Sequence, residues 1–135
     1  MKKIVDKYIG IFENLSIAKI ESLLACVDEN IEFSDPFNAI VGKKKFEELL
    51  LEMFHNIKEP HFKILSKSQS NDTFFLKWSF KGFYKKQFNI IGLSEIVIKD
   101  NLVIKHIDFW DSGKNFYCHL PILGGIFKKI HKISN

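Results

Sequence analysis

The chain has 135 residues, 46% of them hydrophobic and 27% charged, with a formal net charge of +4. This suits one soluble globular domain with one core. The charge is a scatter of lysines rather than a nucleic-acid-binding patch, no apolar run approaches the length of a membrane span, and Met1-Lys2-Lys3-Ile4-Val5-Asp6 turns polar too soon for a secretory signal.

In chain order, Ile4, Val5, Tyr8, Ile9 and Phe12 recur at helical spacing, predicting a first helix over residues 3–13. Asn14-Leu15-Ser16 breaks it, and Ser16 is a fair N-cap for a second helix whose apolar face is Ile17, Ile20, Leu23, Leu24 and Val27. Asp28-Glu29-Asn30 is expected as a turn. Ile31, Phe33 and Asp35 then share one face of a short strand that Pro36 stops. Beyond the Asp35-Pro36-Phe37-Asn38 corner, Phe46, Leu49, Leu50, Met53 and Phe54 form the inner face of a third helix, about 43–57.

After Pro60 the period changes from helix to strand. Strands are expected from Phe62, over 74–84 with Leu76, Trp78 and Phe80 on one face, and over 88–98, apolar on both faces and so placed centrally. Turns fall at 70–72, 85–87 and 100–101. The tail, 114–135, carries Ile122, Leu123, Ile126, Phe127 and Ile130 as an apolar stripe, with Lys128, Lys129 and Lys132 off it. It is expected to lie across the domain as a lid, to pack on a second protomer, or to sit on an anionic surface. Helices followed by a meander of antiparallel strands make the class α+β. The 14 Phe suit a packed interior or a cavity wall.

The last strand holds the chemistry. In Lys105-His106-Ile107-Asp108-Phe109-Trp110-Asp111, alternation puts Ile104, His106, Asp108 and Trp110 on one face and Val103, Ile107 and Phe109 on the other. Either the first face lines a small-molecule pocket, or it meets solvent while the second packs on the core. Alternation alone leaves both open.

The element order, with Phe33-Ser34-Asp35-Pro36, Gly42 and His106-Ile107-Asp108-Phe109-Trp110-Asp111, resembles the NTF2-like superfamily, which includes SnoaL-like cyclases and ketosteroid isomerases. The resemblance covers residues 4–113 and implies one cone-shaped domain over 1–135, with N-terminal helices packed in a curved antiparallel sheet, an apolar cavity and a homodimer. Asp35 matches the general base of the isomerases, and Tyr8 looks similar to their oxyanion donor. No Asp stands near Leu93 to Glu95, and the last strand has His106 and Asp108 where the isomerases are apolar, so a true steroid isomerase is not implied.

The expectation is therefore a small-molecule-binding protein, and, if it is an enzyme, an isomerase, cyclase or hydro-lyase working by proton transfer. Asp35, His106 and Asp108 are its candidate catalytic residues, and Tyr8, Phe33, Trp78 and Trp110 would bind substrate. A carboxyl group in an apolar cavity is pushed up into the range where it serves as a base near neutral pH. The alternative is a non-catalytic module that binds a hydrophobic ligand or a protein. In it Asp35 only braces its turn, Tyr8 is core, and His106 with Asp108 is polar filling. The remaining histidines lack ligand-like spacing, so no metal and no cofactor are expected. Cys26 and Cys118 form no CxxC pair and fit reduced thiols in the cytoplasm. The expected partners are a small apolar ligand and a second copy of the chain, with no nucleic acid and no integral membrane segment.

Overall fold

The computed structural model of the protein describes residues 2–111. Its elements in order are α1 (Lys2–Glu13), a 3₁₀ turn (Ile17–Lys19), α2 (Ile20–Leu24), β1 (Val27–Ser34), β2 (Ala39–Val41), α3 (Lys43–Asn56), β3 (Lys58–Ser70), β4 (Thr73–Tyr84), β5 (Lys86–Lys99) and β6 (Leu102–Trp110). The architecture is α+β: the helices pack inside a curved, unclosed six-stranded sheet of order β2-β1-β6-β5-β4-β3. The expected tail lid, with Cys118, lies outside the described residues.

Two apolar clusters fill the cone. One joins Val5 and Tyr8 of α1, Leu23 of α2 and Phe46 of α3 to Ile31, Phe74, Ile96 and Val103 of the sheet. The other joins Met53 and Ile57 to Trp78, Phe80, Phe88 and Ile90. Each fully buried side chain of this size contributes about 1.5–3 kcal/mol, which is why α1 follows its apolar stripe, Ile4, Val5 and Tyr8, into the sheet.

The strands from β3 to β6 form the expected meander. Asn71, Lys85, Asp100 and Asn101 take positive φ at its turns, and the consecutive pair Asp100-Asn101 makes the mirror-image hairpin turn that matches sheet twist. Four expectations are corrected. The second helix was expected to run through Val27, but α2 ends at Leu24 and Val27 enters the sheet, pairing in parallel with Val103. The Ser16 side chain makes no cap bond there. The expected turn at Asp28-Glu29-Asn30 lies within β1, as an irregular stretch between paired Val27 and Glu32 in which the Asn30 amide donates to Asp28 Oδ2 at 2.8 Å. And β3 starts at Lys58, ahead of Pro60. It tolerates that proline because it is a sheet edge, where a missing N–H breaks no ladder. Further along this edge, the amide of Ile64 donates to Glu13 Oε2 at 3.0 Å, beside the irregularity at Leu65.

The faces of β6 differ from simple alternation. Val97 pairs with Lys105 and Ile98 with Val103, so Ile104 is an extra, bulged residue. The bulge resets the parity: Val103 and His106 both point inward, at 0% and 5% exposure. Beyond it Asp108 and Trp110 follow His106 inward, and Phe109 points out.

Gly92 of β5 lies between Trp78 and Trp110 in the sheet. A Cβ there would overlap the Trp78 indole and come 3.0 Å from the Phe109 carbonyl oxygen. Gly92→Ala is therefore expected to lose roughly 1–3 kcal/mol of stability, read as a lower urea midpoint, and to displace the Trp78 ring, read as a changed fluorescence spectrum.

Candidate functional site

The sheet brings one polar group into this apolar interior. His106 of β6 stands opposite Phe33 of β1 and Ile96 of β5, and Asp108 stands opposite Ser94. The rings of Tyr8, Phe12, Phe33 and Phe46 surround the imidazole, with centroids 5.1–6.4 Å away.

A continuous hydrogen-bonded chain runs through these residues. The Trp78 indole Nε1–H donates to Ser94 Oγ at 2.8 Å, and Ser94 donates to Asp108 Oδ1. His106 Nε2 lies 2.7 Å from the same oxygen, and Tyr8 Oη lies 2.8 Å from His106 Nδ1. The partners assign the protons. Nε2 faces a carboxylate oxygen and so carries its hydrogen. Tyr8 is wholly buried, and donation to Nδ1 satisfies both its hydroxyl and the ring. Burial, the negative charge of Asp108 and the Cys26 thiol together push the Tyr8 hydroxyl well above its ordinary value, so Tyr8 stays a donor.

Asp35 sits just past β1 and is held differently. Its Oδ1 accepts from the amides of Phe37 at 2.9 Å and Asn38 at 2.7 Å, and from Asn38 Nδ2 at 2.9 Å. Its Oδ2 accepts from Asn38 Nδ2 alone, at 2.9 Å. Burial pushes this carboxyl above the usual carboxylate range, against the lowering effect of the Asn38 and Phe37 bonds and with a raising effect from Asp108.

Asp35, His106 and Asp108 all line one pocket of about 110 Å³. Trp78, Phe80 and Trp110 wall it from the sheet, and Leu49, Leu50 and Met53 from α3. All four residues expected to bind substrate, Tyr8, Phe33, Trp78 and Trp110, lie in its wall. The structure joins His106 to Asp108 directly. Asp35 faces the same space, but its hydrogen bonds go to its own turn. Tyr8 gives its hydroxyl to His106 rather than to the pocket. Two members of the site were missed, Ser94 and Asn38. The signal for Ser94 was a hydroxyl on the inward period Phe88, Ile90, Gly92, Ile96 of an otherwise apolar strand. The signal for Asn38 was an amide three residues past Asp35 in a turn. Among the described residues, no three His, Cys, Asp or Glu side chains converge as metal ligands.

A SnoaL-like domain matches residues 8–106, most of the chain. The chain belongs to the SnoaL-like family. This SnoaL-like chain is also similar to solved structures across nearly its whole described length. An LEH-like epoxide hydrolase from M. tuberculosis is 13% identical, with a TM-score of 0.71 over 85% of both chains. A candidate SnoaL-like polyketide cyclase from Jannaschia sp. CCS1 is 10% identical, with a TM-score of 0.75 over 85% of this chain and 90% of that one. A protein with a ketosteroid isomerase-like fold from Catenulispora acidiphila, solved with trimethylamine, is 13% identical, with a TM-score of 0.73 over 88% of this chain and 94% of that one. At these identities the likeness is one of fold. No curated protein matches the sequence significantly. Among the described residues of this SnoaL-like chain, no helix is long and apolar enough to cross a membrane.

The Asp35 environment fixes a pH dependence. A carboxyl raised on folding binds its proton more tightly in the folded state, so its contribution is fully present below the unfolded pKa and is lost as pH rises through the folded value. Relative to Asp35→Asn, the native chain should lose stability as pH climbs from the ordinary carboxylate range through the raised one. Urea midpoints measured across that window check the sign.

Proposed function

We propose that this SnoaL-like protein binds a small, mostly apolar molecule in its pocket and moves a proton on it. The observation that carries the reading is a shared asymmetry of two carboxylates. Asp108 Oδ1 takes the bonds from Ser94 and His106, and Asp35 Oδ1 takes three bonds within its turn, while both Oδ2 atoms are left with one bond or none from the described residues. Groups held mainly by one oxygen are oriented while the other keeps accepting capacity.

In this reading Asp35 is the base. Burial, the first cause, raises its affinity for a proton, the direction a general base needs. Its Oδ2 takes the proton from a carbon beside a carbonyl, the C–H electron pair moves into the enolate, and the proton returns to a neighbouring carbon or oxygen. Asp108, fixed by His106 and backed by Tyr8, Ser94 and Trp78, accepts from a donor group elsewhere on the ligand. Solvent-deuterium exchange into a panel of small cyclic ketones and β-keto esters, followed by NMR, tests this. The native protein should catalyse exchange, and Asp35→Asn should lower it about 10²–10⁴-fold with its far-ultraviolet circular dichroism unchanged. Full activity in that variant removes Asp35 from the chemistry. A second reading, a ligand-binding module, is supported by the way Asn38 engages both Asp35 oxygens, as in a simple turn brace; absence of exchange by the native protein favours it.

The active form in this reading is a homodimer through the outer sheet face. Ile91, Leu93 and Phe109 are 48%, 38% and 52% exposed there, and Leu93 lies directly opposite Phe109. Contiguous exposed apolar side chains mark an interaction surface. Light scattering should show a dimer for the native chain and a monomer for the Leu93→Lys, Phe109→Lys double variant.

A further inference from the structure

We infer that the polar end of the ligand is an organic cation, an alkyl-substituted ammonium group seated between Asp108, Asp35 and the tryptophan rings. This rests on the reading of the pocket as a ligand site and names the class of ligand.

The first argument is charge. All 20 basic residues of the chain outside histidine are lysine, outnumbering its 16 acidic residues. Yet among the described residues lining the pocket the acidic groups are two, Asp35 and Asp108, and no described lysine reaches it. The pocket thus opposes the sign of the protein that surrounds it. The hydrogen-bond pattern sharpens this. Ser94 and His106 both engage Asp108 Oδ1, so the bonds from the described residues gather on one oxygen and leave Oδ2 with none. Anions drawn out of water need a countercharge as well as donors. The two carboxylates also feel one another, since the charge on Asp108 is among the causes that raise Asp35. A cation between them relieves both.

The second argument is the wall. Both tryptophans of the chain, Trp78 and Trp110, line the space together with Phe33, Phe62 and Phe80. Aromatic faces attract a positive charge spread over alkyl groups, and apolar neighbours suit those same alkyl groups. A bare metal ion is the wrong occupant, because no third carboxylate, imidazole or thiol converges among the described residues. A neutral or anionic ligand leaves the pair of carboxylates unanswered.

Three molecules of one shape separate the charges: choline, 3,3-dimethyl-1-butanol as its neutral isostere, and 3,3-dimethylbutanoate as the anion. Both tryptophans of the chain line the pocket, so indole fluorescence of the full-length protein reports binding directly. Choline should bind at least about tenfold tighter than the alcohol, and the acid weakest. Added salt should weaken choline and leave the alcohol unchanged, a readout that needs no variant. Asp108→Asn should bring choline to within about twofold of the alcohol, and Asp35→Asn, which leaves the His106 network intact, should weaken choline in the same direction. If the alcohol binds as well as choline, the cation inference is overturned while the pocket remains a ligand site. If none of the three binds, both are overturned.

Discussion

One carboxylate oxygen, Asp108 Oδ1, holds this interior in order. It lies inside an apolar cone and accepts from two sides, from Ser94 on β5 and from His106 two residues away on its own strand. A buried polar atom without a partner costs about 1–3 kcal/mol. Each neighbour is therefore obliged to point where it does: Ser94 carries the Trp78 indole, and His106 carries Tyr8. A helix, two central strands and their neighbour are thus locked through five side chains, and the pocket takes its shape from them.

The arrangement depends on a backbone detail. Without the bulge at Ile104, a strand that buried Val103 against the core would carry His106 and Asp108 out to solvent. With it, β6 buries an apolar residue at one end and presents a titratable pair at the other. The bulge is matched on the far side by the irregular stretch of β1 between Val27 and Glu32, so the two parallel neighbours are both out of phase with a regular ladder at the same level of the sheet. Bulges that re-aim a side chain are common beside functional sites.

Much of the fold was legible in the sequence because it rests on periodicity. The stripes of α1 and α3, the alternation Leu76, Trp78, Phe80 and the three hairpin turns all report a local pattern. What was not legible was set by partners distant in sequence. Val27 reads as the end of a helix until Val103 offers it a ladder. Pro60 reads as a stop until β3 proves to be an edge. The outward apolar residues of β5, Ile91 and Leu93, read as burial on both faces, whereas within one chain they are exposed. For the site, the residue types at positions 35, 106 and 108 were visible, but their bonding was not. The partner of Tyr8 lies 98 residues away, and no spacing rule reaches that far.

The bond from the Ile64 amide to Glu13 has a bearing on how the molecule behaves in company. β3 is long and ends the sheet, and such a border, with its amides and carbonyls unanswered, is a template on which another chain can build. Here the last turn of α1 supplies a carboxylate to one of those amides, Pro60 withholds another donor, and the irregularity at Leu65 spoils the flatness that stacking requires. The domain can therefore be rich in phenylalanine and β-branched strands and still present that border to the outside as a poor seed for fibrils.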